Sequence, residues 1–101
     1  MKAKVIKVNK LPGTKGIMLF PFVLVETEGR SNRAIDVTVN HELIHFEQAK
    51  ELFVIGFYLY ILYEYLVKGY RNSKLEKECY ANQYDLEYLN NRKKYAWKSD
   101  S

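Results

Sequence analysis

The 101-residue chain has little of what staples or punctuates small proteins: one cysteine, two prolines and five glycines. With Cys79 alone no internal disulfide can form. A bridge-held secreted scaffold is therefore excluded, and a reducing, cytoplasmic setting is the expectation. No apolar run reaches the ~20 residues of a bilayer span. The run from Leu52 to Val67 is too short, contains Glu64 and is rich in tyrosine, so spanning is not expected, while peripheral contact with a membrane stays open. Five lysines (Lys2, Lys4, Lys7, Lys10 and Lys15) precede the apolar run from Ile17 to Val25, as in a secretory leader. That run, however, holds Pro21 and leads into Glu26, Thr27, Glu28 and Gly29 without a small-x-small cleavage site, so it reads as a strand. No internal repeat or low-complexity tract is present.

Charge of one sign is not in great excess. Sixteen Lys and Arg against twelve Asp and Glu give +4, which a solvated surface accommodates. The densest basic stretch, Arg92, Lys93, Lys94 and Lys98 with Tyr95 and Trp97, falls at the tail of an expected helix, where it complements the negative end of the dipole. No nucleic-acid motif accompanies it, so no nucleic-acid partner is expected.

What is present is apolar and aromatic: 48% hydrophobic residues, 15% aromatic, nine of them tyrosine. Such a chain folds, and its length holds one domain, residues 1–101, with no room for a second. The pattern predicts an α+β fold in which a short antiparallel meander of three strands precedes helices. The strands are Ala3 to Val8, Ile17 to Thr27 with Pro21 forcing an edge or a bulge, and Ala34 to Val39, where Ile35, Val37 and Val39 alternate with Asp36 and Thr38. Asn9 to Gly16, with Pro12 and Gly13, reads as a loop. A helix then begins near Thr38 or Asn40.

Histidine is scarce too, with only His41 and His45, and they fall in the run HELIH. On a helix, positions i and i+4 share a face, so both imidazoles can grip one zinc ion while Glu42 faces its bound water. The alternative reading is two histidines aligned by chance on an ordinary helix. Gln48 lies on the same face and reads as a polar residue at its edge rather than as a partner of an imidazole. Two histidines hold zinc weakly, and no third exists, so a downstream carboxylate is required. Ser73 to Ala81, SKLEKECYA, offers Glu76 and Glu78. Ser73 and Glu76 spell a capping box, which occupies Glu76 at the helix start. About 200 degrees of helix separates the two glutamates, so only one can face the ion. Glu78 is the expected ligand, Glu76 its rival and Asp85 a weaker third. Cys79 is expected to pack rather than react. For Glu78 to reach the histidines the chain must fold back between them, and Gly56 is the expected break, with Gly69 to Asn72 returning beside the histidines.

NHELIHFEQ followed by RNSKLEKECYANQ resembles the small zinc peptidase-like proteins of the gluzincin class, in which HExxH is completed by a glutamate from a later helix. The layout is also similar to short uncharacterised bacterial proteins and, in size, to minigluzincins. The resemblance spans about residues 17–97 and implies a minimal zincin-like domain, with His41, His45 and Glu78 as metal ligands and Glu42 as the catalytic carboxylate. The chain carries Cys79 and Tyr80 where many gluzincins carry Ala and Asp. The implied activity is peptide-bond hydrolysis by a zinc-activated water with Glu42 as general base, a tyrosine or basic side chain stabilising the oxyanion. The substrate is expected to be an extended peptide or protein segment paired to an edge strand at 17–25 or 34–39. A non-catalytic zinc-stabilised module and a metal-free interaction domain are the competing expectations.

Overall fold

Three short β-branched runs form a sheet at the N-terminus of the computed structural model, which describes residues 2–69 and 73–98. Strands β1 (Lys4–Val8), β2 (Gly16–Leu19) and β3 (Phe22–Glu26) are ordered β1-β3-β2, with β1 parallel and β2 antiparallel to the central β3. The expected single strand from Ile17 to Thr27 is thus two strands, folded at the cis Phe20–Pro21 peptide, because proline has no N–H to continue a ladder. Val23 and Val25 are fully buried on the face of β3 that meets the helices.

The third expected strand does not exist. Residues 34–39 lie inside helix α1 (Asn32–Glu51), which starts well before Thr38 or Asn40 because Ser31 caps it, its Oγ accepting the Ala34 N–H at 3.1 Å. Six alternating residues are too few to fix the period. The cap and the apolar continuation to Ala49 decide for helix, and Thr38 is tolerated inside it by donating back to the Ala34 carbonyl.

The chain does fold back, at Leu52 to Val54 rather than at Gly56. Phe53 and Val54 take positive φ of 56° and 57°, sparsely populated backbone that costs about 1–3 kcal/mol per non-glycine residue. Gly56 sits in the first turn of α2 (Ile55–Lys68), where a helix still tolerates it. Residues 70–72 of the expected return lie outside the described residues. α3 (Lys74–Asn82) packs on α1, and α4 (Tyr88–Asn91) and a 3-10 turn (Ala96–Lys98) complete the chain. The core gathers Met18, Val23 and Val25 from the sheet, Ile35, Phe46 and Ala49 from α1, and Phe57, Leu75 and Trp97.

One local contact decides the site. The expected Ser73/Glu76 capping box does not form, because Ser73 donates its hydroxyl proton to Glu64 Oε1 at 2.8 Å, and the same oxygen accepts the Lys74 N–H at 3.0 Å. Glu64, fully buried on α2, therefore caps α3 from outside that helix. Glu76 is released to point elsewhere.

Candidate metal centre

His41 and His45 lie on one face of α1, their ring centroids 5.2 Å apart. Each Nδ1 meets an amide oxygen: Gln83 Oε1 at 2.6 Å for His41 and Gln48 Oε1 at 2.8 Å for His45. An amide oxygen only accepts, so Nδ1 carries the proton in both rings and Nε2 is the nitrogen presented inward. The Gln48 amide cannot turn over, because its Nε2 donates to the Leu75 carbonyl and to Glu78 Oε1, both at 2.9 Å. Gln48 is therefore a partner of an imidazole, not an edge residue, and Gln83 plays the same part from beyond α3. HELIH gives no hint of Gln83, since 42 residues separate it from His41.

Both Nε2 atoms face Glu76: His41 at 3.2 Å from Oε1 and His45 at 3.0 Å from Oε2. Tyr65 donates its hydroxyl to the same carboxylate at 2.8 Å. Glu78 is not with them. Its fully buried carboxylate accepts from Arg92 Nε and Nη2, the Tyr88 hydroxyl and Gln48 Nε2. The expectation that Glu78 completes the site is corrected: the half-turn between the two glutamates keeps them apart as anticipated, but the one facing the histidines is Glu76, because Glu64 has taken over its capping duty. Asp85 stays in a loop, where its Oδ1 accepts the Glu87 N–H. The basic run is corrected in part as well, since Arg92 turns inward to the pair Glu51 and Glu78 instead of into solvent.

Cys79, one turn beyond Glu76, is fully buried, and burial pushes its thiol pKa up to about 11. Donor atoms of His41, His45, Glu76 and Cys79 all lie within 4.8 Å of one another, so the group can hold a metal ion. The spacing suits a small cation. Bond lengths of about 2.1 Å in a tetrahedron place neighbouring ligand atoms about 3.4 Å apart, close to the two Nε2–carboxylate separations.

Charge in the cluster is shared through protons. Burial disfavours charge on Glu76, but bonds from His41, His45 and Tyr65 outweigh it and hold its pKa well below the carboxylate range. At His45, burial opposes the charged ring, yet Cys79 and Glu76 raise its pKa well above the ordinary histidine value. Without a cation, the His45 Nε2–H thus donates to Glu76, and metal binding must displace that proton.

Glu42 is 9% exposed, and burial raises its pKa, with the two histidines partly offsetting this. It forms a wall between two clefts, each also lined by His41. One, of about 570 Å³, is lined by Thr14, Lys15, Arg30, Arg33, Tyr80 and Tyr84. The other, of about 240 Å³, opens onto His45, Glu76 and Tyr65 and is walled on its remaining side by Ile17, Met18, Phe57, Tyr58 and Ile61. Gly16 on β2 makes this close approach feasible. A Cβ there would stand 2.6 Å from Thr38 Cγ2 and 3.3 Å from Glu42 Oε2.

No family model, curated protein or solved structure matches the chain. The site's chemistry thus has to be read from its own residues.

Of the two edges expected to receive a peptide, 34–39 is helix. β2 is an edge strand beside the site, and there the Tyr58 hydroxyl donates to the Met18 carbonyl at 3.1 Å and Thr14 Oγ1 to the Gly16 carbonyl at 2.8 Å. Among the described residues no helix is long and apolar enough to cross a membrane.

Proposed function

We propose that the chain is a small zinc-dependent metallopeptidase with His41, His45 and Glu76 as ligands and Glu42 as general base. One observation carries the reading. Two imidazoles, fixed by glutamines in the tautomer that directs Nε2 inward, converge on a carboxylate from another helix, and an adjacent buried glutamate opens onto clefts. A zinc ion held by these residues would supply a bound water with a pKa of about 7 and a Lewis acid for a carbonyl. Glu42, one residue from His41 and open to both clefts, takes the proton of the attacking water and returns it to the leaving amine. Tyr65 holds Glu76 in place as a ligand, and Gln48 and Gln83 hold the imidazoles.

Cys79 favours a second reading. Four protein donors close a zinc site and make it structural, whereas three leave a position for water. Cobalt substitution separates the two. The peptidase reading expects a spectrum without a thiolate charge-transfer band, and turnover of a peptide library that is lost in Glu42→Gln with zinc content unchanged. A strong thiolate band in wild type, absent in Cys79→Ser, together with no turnover would establish the closed site instead.

A further inference from the structure

We infer that the larger cleft selects peptides carrying an acidic side chain a few residues from the scissile bond; this rests on the peptidase reading above. The cleft collects Lys15, Arg30 and Arg33, and among the described residues the only acid lining it is Glu42. It also contains the start of α1, from Ser31 to Ala34, where the helix dipole is positive. Helices usually offset that end with Asp or Glu. Here the first turn has no acid and carries Arg33 instead, so dipole and side chain add. Arg30 is a fixed charge, its guanidinium bound to the carbonyls of Glu26 and Ala34 and to Thr38 Oγ1. Lys15 and Arg33 are exposed, Arg33 reaching along the cleft wall with its Nη2 3.5 Å from the Tyr84 carbonyl. Eight residues of helix separate Arg33 from His41, about 12 Å at 1.5 Å per residue. An extended peptide covers this in three to four residues at about 3.3 Å each. The smaller cleft holds His45 and Glu76, with Ile17, Met18, Phe57 and Ile61 as its apolar wall, so the larger cleft is read as running outward from the metal ligands past Glu42.

The test uses the full-length, zinc-loaded Glu42→Gln protein, titrated calorimetrically with decapeptides that share a central Leu and carry Glu, Gln or Lys three or four positions to either side. On one side the Glu peptide should bind about tenfold tighter than the Lys peptide at low salt. High salt should shrink the advantage, and Arg33→Glu should abolish it. Equal binding of the three peptides, a preference for Lys, or no binding overturns the proposal. Turnover of the same peptides by wild type is scored separately. An acidic preference in binding without turnover sustains the cleft assignment and removes the hydrolase, while turnover without preference does the reverse.

A second inference rests on α2 and the turn that leads into it. Ile55, Leu59, Leu62 and Leu66 are 55–79% exposed and recur at intervals of four, three and four, the spacing of a helix-pairing seam. Phe53, Tyr63 and Val67 extend the patch, each more than half exposed. The helix's one acid, Glu64, is buried, and Lys68 enters only in the last turn. Seven such side chains amount to on the order of 800 Å² or more, what each partner contributes to a stable interface and more than a monomer ordinarily shows. We infer that this seam packs on the α2 of a second copy about a twofold axis. A lipid surface fits less well, because among the described residues Lys68 is the one basic residue on α2. Sedimentation equilibrium should give a dimer at about 100 µM (a Kd at or below the micromolar range), converted to monomer by Leu62→Lys or Leu66→Arg with the circular dichroism spectrum unchanged. A monomeric wild type, whether inert or floating with anionic vesicles, refutes it; should a charged variant misfold, failure of Leu59→Cys or Leu62→Cys to cross-link between copies does the same.

Discussion

Exchanging the two glutamates of α3 for glutamine, one at a time, should produce opposite defects. Glu78 belongs to a triad in which Arg92 binds both Glu78 oxygens and both Glu51 oxygens, while Glu51 also accepts from the Tyr95 N–H and the Trp97 indole. Arg92 and Glu78 are 4% and 0% exposed as side chains. In Glu78→Gln the remaining Arg92–Glu51 pair is still neutral, so the loss is that of bonds to a charged acceptor, about 1–3 kcal/mol. Arg92→Met leaves two carboxylates without a cation and should cost about 3–5 kcal/mol. At about 4–8 °C per kcal/mol for a domain near this size, these become falls in Tm of about 4–24 °C and 12–40 °C. Neither change removes a metal donor, so zinc bound per folded chain should stay near wild type. Glu76→Gln should instead leave a folded protein that loses zinc to a weak chelator. Thermal melts and metal analysis on the same samples measure both. A Glu78→Gln protein that melts like wild type but has lost its metal would refute the assignment.

Three further outcomes follow from particular contacts. Gln48→Leu removes the acceptor for His45 Nδ1 and the donor to the Leu75 carbonyl and Glu78, so zinc affinity should fall about 10–100-fold, read by competition with a chromophoric chelator. Gly56→Ala should stabilise by about 0.5–1 kcal/mol, since the added Cβ meets only Leu52 Cβ at 3.9 Å; a loss of stability in urea melts would show that the turn does need glycine. Acid should weaken the metal-free protein through Glu51: burial alone would raise its pKa, but Arg92, the Tyr95 N–H and Trp97 lower it below the unfolded value. Its contribution is then complete above pH about 4.3 and lost as pH falls through the lower folded value. Urea midpoints should drop over that interval in wild type and less in Glu51→Gln.

The parts of the molecule legible in its sequence are those set by local pattern. HELIH lies on a helix, the class is α+β, and the chain turns back between the histidines and α3. What the pattern leaves open is decided by single caps, by backbone conformations without a propensity signal, and by contacts between elements. Alternation at Ala34 to Val39 mimicked a strand because six residues do not distinguish a period of two from a helix with a broad buried face, and the Ser31 cap upstream settled it. The turn avoids Gly56 because Phe53 and Val54 accept positive φ instead, which no propensity favours. S-x-x-E was a fair signature of a capping box, and it failed because Glu64, nine residues before Ser73, supplies the cap.

That substitution explains why the site has the ligands it has. Among the described residues no buried side-chain nitrogen or oxygen lacks a partner, so each buried carboxylate around α3 is committed by the donors nearest to it. Glu64 is taken by Ser73 and the Lys74 N–H, Glu78 by Arg92, Tyr88 and Gln48, and Glu51 by Arg92, Trp97 and Tyr95. Glu76 alone is answered by two imidazole nitrogens, groups that exchange a proton for a metal ion, together with a tyrosine that secures one oxygen. Ser73→Ala tests the link. Without the hydroxyl, Glu64 keeps the Lys74 N–H, so α3 should remain capped and Glu76 should remain with the histidines, at a cost of about 1 kcal/mol in urea melts and unchanged zinc affinity. Glu64→Gln weakens the acceptor of both cap bonds at once. If zinc affinity then falls while Ser73→Ala leaves it intact, the position of Glu76 depends on the charge borrowed from α2; if neither variant moves it, the histidines hold Glu76 unaided.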